Sequence, residues 1–184
     1  MSAQVLERLR ALLRDEGGLI ATLVDHDGSG EAHARGPAAV LADAPRTKQQ
    51  AQEYQLLVEA IYEGYLLHYG RPRLVQACEA NLSLLAGDRL YAIGLARLVA
   101  LGDTLAVAEL ADTITLCALA HGGGDAALAE AVWAAGTRAI GWGPSEPHRR
   151  AKQLVLTGAP EALDAMRTCA AQGAHSPPIG PRYC

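Results

Sequence analysis

The sequence predicts an all-α fold, a single-domain helical bundle of about seven to nine helices. Three observations carry that reading. Half of the 184 residues are apolar, mostly Ala, Leu and Val with no Phe. Such a core buries much area only by bringing Ala-lined helices close together. Strong helix formers dominate and β-branched runs are rare. Apolar residues also recur three and four apart between Gly, Pro and Asp punctuation, with no internal repeat and no strand pattern.

The elements follow in order. Val5, Leu6, Leu9, Leu12 and Leu13 repeat at helical spacing, Ser2 can cap the start, and Gly17-Gly18 ends the run. "LIATLV" (19–24) is too short to assign, and Pro37 opens a short helix, "PAAVLADA". From Thr47 polar residues give way to the periodic Leu56, Leu57, Ala60, Ile61 and Leu67, one helix stopping at Gly70. Pro72 suits the first turn of the next helix. A further helix begins near Asn81 or Ser83 and runs to Leu101. Asp103-Thr104 caps "LAVAELADTITLCALAH", Gly122 to Gly124 stop it, and Asp125 caps "AALAEAVWAAGTRAI". After the loop "GWGPSEP" comes "HRRAKQLVL", and Pro160 opens a last helix to about Gln172. The helical domain thus spans 1–173, and 174–184 reads as an extended Pro/Gly-rich tail.

Charge and composition exclude some functions. A net charge of -4 and a pI near 5.8 argue against a nucleic-acid binder, which shows a basic face. The N-terminal "MSAQVLERLR" carries charges where a signal peptide needs an apolar core. "NLSLLAGDRLYAIGLARLVALGD" is broken by Asp88, Arg89 and Arg97, which makes it a buried helix rather than a membrane span. Cys78, Cys117, Cys169 and Cys184 are scattered, with neither a zinc spacing nor a disulfide pattern. The expected setting is a reducing cytoplasm.

Candidate chemistry is sparse. "DHDGSGEAHARG" places Asp25, Asp27 and Ser29 at the first calcium-loop ligand positions and Gly30 at the turn. Its twelfth position, where a bidentate Glu is needed, is Gly36, so a Gly/Asp-rich surface turn is the reading. His26, His33, His68, His121, His148 and His175 include no HExxH and no i, i+4 pair, so neither a metal nor another cofactor is expected. Arg149, Arg150 and Lys152 form a solvated helix face that can also meet a phosphate or an acidic partner. In "LLVEAIYEGYLLHYGRP" (56–72), Glu59, Tyr62, Tyr65 or Leu66, and Tyr69 share one helix face. Glu59 and Glu63 are an i, i+4 carboxylate pair that can bind a divalent cation or face water, and their mutual repulsion makes a surface position the default for Glu63. His68, near the helix end, is placed to bond a terminal carbonyl.

This helix resembles the one that carries the first aspartate-rich motif of trans-isoprenyl diphosphate synthases. Glu59 matches that family's Glu, Tyr62 takes a His position, and Leu66-Leu67-His68 match "LIH". Tyr69-Gly70 then stand where the family has two aspartates. "LLAGDRLYAIGLARL" (84–98) resembles the family's "LAGD-LLA" helix, with Asp88 in its Asp position. The likeness covers residues 54 to about 120 and implies a reduced isoprenoid-synthase-like bundle. In the family, carboxylates hold Mg²⁺ ions that ionise a diphosphate, and this sequence carries no DDxxD and no second aspartate-rich motif.

The expected function is therefore a non-catalytic accessory or structural subunit of a larger complex, like the small chains of heteromeric prenyl synthases. As a homo-oligomer or as such a subunit, it would bind a protein partner. An alternative is a binding module for a prenyl or other lipidic molecule in an aliphatic pocket, with Glu59, Tyr62, His68 and Asp88 as polar groups at its mouth. A third is an enzyme that pairs His68 with Glu59 or Asp88 as acid and base.

Overall fold

The computed structural model describes residues 2–24, 36–77 and 79–171. Its elements are α1 (Ser2–Asp15), α2 (Gly18–Leu23), a 3-10 helix (Pro37–Asp43), a 3-10 turn (Lys48–Gln50), α3 (Ala51–Tyr69), α4 (Ala80–Ala100), α5 (Thr104–Gly122), α6 (Ala126–Trp142), α7 (Glu146–Leu156) and α8 (Ala162–Ala171). The all-α bundle is as expected. Among the described residues the only β pairing is an isolated antiparallel bridge, Val24 with Val75. Residues 25–35, Cys78 and residues 172–184 lie outside the described residues, as does the Ser2 side chain.

The bundle is arranged around α3. Twelve of its 19 residues are buried, so it carries apolar groups all round rather than along one stripe. On one side Leu56, Ala60 and Leu67 join Leu6, Leu9 and Leu13 of α1 and Leu90 and Ile93 of α4. On the other Leu57, Val58 and Ile61 meet the larger cluster built by α5 to α8, with Leu110, Val132, Ile140 and Met166.

Close approach comes from glycine as well as from buried alanines such as Ala60, Ala86, Ala129 and Ala135. A Cβ on Gly64 would lie 2.9 Å from the Gly87 carbonyl oxygen, and one on Gly87 would lie 3.0 Å from the Gly64 carbonyl. A Cβ on Gly94 would run into Ile61, and one on Gly136 into the Thr113 hydroxyl. These contacts set the spacing of α3 on α4 and of α5 on α6.

Helix ends largely follow their signals. Gly17 and Gly18 hold φ of 66° and 60° after α1, which suits glycine alone. Asp103 accepts from Ala106 N–H at 3.0 Å and Asp125 from Leu128 N–H at 2.8 Å, capping α5 and α6. Asp103 also takes the Tyr54 hydroxyl at 2.6 Å and pairs with Arg46, which ties the start of α5 to α3. Four boundaries differ, the first being α6, which runs on to Trp142. α7 starts at Glu146, because Ser145 accepts from His148 N–H. Pro160 sits in the turn before α8 rather than within it. Pro72 opens no helix, because 70–77 is drawn across the face of α3 and α4 begins only at Ala80.

Among the described residues α5 alone is long and apolar enough to cross a membrane by length and composition. In this structure its inner face packs on α4, α6 and α7.

Replacing Gly64 with Ala should destabilise the fold by about 1–3 kcal/mol, since backbone on α4 must give way. Urea denaturation reads this directly, and an unchanged midpoint would contradict the close α3–α4 contact.

Candidate functional site

The sequence places Glu63 at the surface, but its side chain is wholly buried. Its partner is Arg73, ten residues on and past the helix stop. Arg73 Nε donates to Glu63 Oε2 at 3.1 Å, and Arg73 Nη2 donates to Glu59 Oε2 at 2.7 Å. Glu63 Oε1 accepts three backbone N–H groups, from Arg73 and Leu74 at 2.6 Å each and from Val75 at 3.3 Å. Glu59 Oε1 takes the Ala38 N–H at 3.3 Å. One guanidinium and four amides thus offset the repulsion of the two carboxylates. Burial alone would lower Arg73, but the two carboxylates outweigh it and hold the guanidinium above its ordinary value. Any side chain at position 36 would strike the Glu59 carboxylate, so Gly36 serves close packing, while Asp25, Asp27, Ser29 and Gly30 of the calcium-loop-like stretch lie outside the described residues. The pair neither faces water nor is left open for a divalent cation.

His68 does not cap its helix. Its ring lies parallel to Tyr91 (centroids 5.3 Å apart) and against Gly87. Its Nε2 sits 3.2 Å from Asp88 Oδ1 without hydrogen-bond alignment. Tyr69 stacks on His121 at 4.3 Å, and Gly70 closes α3 through its N–H to the Leu66 carbonyl at 2.9 Å. The four predicted pocket residues therefore separate. Glu59 belongs to the Arg73 cluster and His68 with Asp88 to the α3–α4 crossing.

Tyr62 alone reaches a sizeable cleft. About 300 Å³ opens between the first 3-10 helix, α3, α6 and α8, lined by Tyr62, Tyr65 and Trp133 together with Pro37 and Val40. The wall is aromatic, not the aliphatic one expected. Tyr62 and Tyr65 stack at 5.5 Å, and both meet Trp133 edge-on, at 5.0 and 5.4 Å. Arg73 lies 5.1 Å from the Tyr62 ring centroid, so the buried cluster braces the wall from behind. The Tyr65 hydroxyl and His121 Nε2 are 2.8 Å apart. Burial pushes both phenols up, which keeps them neutral. Trp133 Nε1 is enclosed with no hydrogen-bond partner, and Glu130 and Arg138 stand on the same cleft. Sequence reasoning missed Trp133 and Arg138. The sequence places Trp142 in the loop after α6, whereas that helix runs on to Trp142 and carries both tryptophans of the chain.

A second polar cluster was also missed. His148 Nε2 lies 3.0 Å from Glu109 Oε2, and Lys152 Nζ reaches Glu109 at 3.0 Å and Asp112 at 2.7 Å. Arg149 and Arg150 pair with Glu146 on the exposed face, so only part of the expected basic face is solvated. Burial pushes the Glu109 carboxyl up, but the hydrogen bonds from His148 and Lys152 outweigh it and leave the group below its ordinary value. The stabilisation is therefore present above the unfolded carboxyl value, about 4.3, and is lost as pH falls through the lower folded one. A Glu109→Gln variant should lose stability at neutral pH and show a shallower decline below about pH 4.3 than the parent. Thermal melts across pH 3–7 read both slopes, and identical acid limbs would contradict this role for Glu109.

Comparison of the chain with protein-family models, curated proteins and solved structures finds no match.

Proposed function

We propose that this chain is a non-catalytic binding module for an amphiphilic small molecule of prenyl or other lipidic character, held in the aromatic cleft at Tyr62. The observation that carries the reading is the cleft itself, with about 300 Å³ of space, three aromatic walls and an enclosed indole N–H without an acceptor. Ligand sites are mostly apolar, with a few polar groups that fix orientation. Here the apolar body of the ligand lies on Tyr62, Tyr65 and Trp133, and its polar end meets Arg138 or Glu130. The likeness of α3 and α4 to isoprenyl synthase helices supports an isoprenoid as the body. Engagement of Glu59 and Glu63 by Arg73 supports binding without metal-assisted turnover.

A second reading, an accessory subunit docked on a larger protein, is favoured by the outer face of α5. Ala108, Ala111, Thr115 and Ala118 are exposed there at alternating three- and four-residue spacing, beside an exposed Leu119. Small residues in that pattern let a partner helix approach closely. The two readings are compatible, because the cleft and this face lie on different helices.

Farnesol is the probe for the first reading. It should raise the Tm of the parent protein, and Ala134→Phe, an exposed α6 position on the cleft, should remove the shift while leaving the far-UV circular dichroism unchanged. No shift in the parent, or an equal shift in the variant, would overturn the assignment.

A further inference from the structure

We propose that a second cleft, between α6, α7 and α8, binds a small oxyanion, a phosphate or carboxylate group, between Arg138 and His148. The space is about 170 Å³, room for several waters' worth of ligand at about 30 Å³ each. Its lining includes Arg138, Trp142, Ser145, His148 and Cys169 and no acidic residue.

Arg138 supplies the charge. Its guanidinium lies 4.4 Å over the Trp142 ring, and among the described residues no carboxylate pairs with it. Burial holds it below its ordinary value, a sign that the site costs the cation hydration without supplying a counter-charge. A guanidinium held over an indole keeps its planar N–H fork, which phosphate and carboxylate accept, in one place at the cleft.

His148 supplies the second contact. The residue is 4% exposed, its Nε2 is engaged by Glu109 at 3.0 Å, and its Nδ1 is enclosed without a partner. Inorganic phosphate suits that nitrogen in either state of the ring. It offers an acceptor oxygen to an N–H and, as the monoanion, an O–H to a bare nitrogen.

The surroundings do not oppose an anion. The 11-residue α7 begins at this cleft, so the positive end of its dipole faces it. Glu146 in its first turn is neutralised by Arg149 and Arg150, each at 3.1 Å, and Glu109 is paired with Lys152, which it shares with Asp112. Three of the last four carbonyls of α6 are already bonded. Ala139 O takes the Gly143 N–H at 2.8 Å, Ile140 O takes Arg46 Nη1 at 2.9 Å, and Gly141 O takes the Arg46 N–H at 3.0 Å.

The site does not rest on the aromatic-cleft reading and shares only Arg138 with it. The test is titration of the full chain with inorganic phosphate at constant ionic strength, set by chloride and read by Tm and calorimetry. Phosphate should raise Tm beyond the chloride control, and Arg138→Gln should weaken binding by roughly tenfold or more, the loss expected for a charged hydrogen bond. His148→Gln, read the same way, should also weaken it. No phosphate-specific shift, or undiminished binding in Arg138→Gln, would overturn the proposal. Farnesyl phosphate run in parallel separates the sources of the anion. Binding that is tighter than inorganic phosphate and sensitive to Ala134→Phe assigns it to an amphiphile headgroup, whereas equal binding assigns it to a free anion. Both assignments require Arg138.

Discussion

The structure depends on one buried ion cluster, Arg73 between Glu59 and Glu63. Glu63 lies in the interior of the central helix, and its carboxylate gathers the N–H groups of residues 73 to 75. Without it those amides would be buried against α3 with no acceptor, at about 1–3 kcal/mol each. Breaking a buried ion pair by removing one partner costs about 3–5 kcal/mol, because it leaves an uncompensated charge. The cluster therefore decides where the chain goes after α3 ends. It holds 70–77 against the helix, aligns Val75 with Val24 and sets where α4 begins.

From that clamp the rest follows by contact. With α4 returned along α3, the Gly64–Gly87 and Ile61–Gly94 approaches close their interface, and His68 is pressed flat on Tyr91. Arg73 also stands behind Tyr62 and so fixes one wall of the aromatic cleft. Structural charge and candidate binding surface are thus coupled on one helix. Its inward carboxylates maintain the fold, and its aromatic face meets α6. Arg138, one helix away, borders both clefts and is the cation that joins them.

Much of the fold was legible in the residues. Caps at Asp103 and Asp125, the glycine stop after α1 and the periodic Leu positions act locally, so short stretches of sequence reveal them. Glu63 was not legible, because an i, i+4 carboxylate pair is repulsive until a distant cation is supplied, and Arg73 lies beyond a helix stop. Pro72 misled for a related reason: its fixed φ suits a first helical turn and equally suits an extended strap. His68 carried a good local signal for capping, but packing on Tyr91 overrode it. The aromatic cleft was legible only in part. Tyr62 could be picked from its helix face, whereas Trp133 and Arg138 required knowing that α6 packs beside it.

The claim that the α3 carboxylates hold the chain together is tested most directly by native-state hydrogen exchange at the amides of Arg73, Leu74 and Val75. Bonded to a buried carboxylate, they should exchange as slowly as the interior amides of α3, although they lie outside any helix. Exchange at the rate of an open loop would contradict the account.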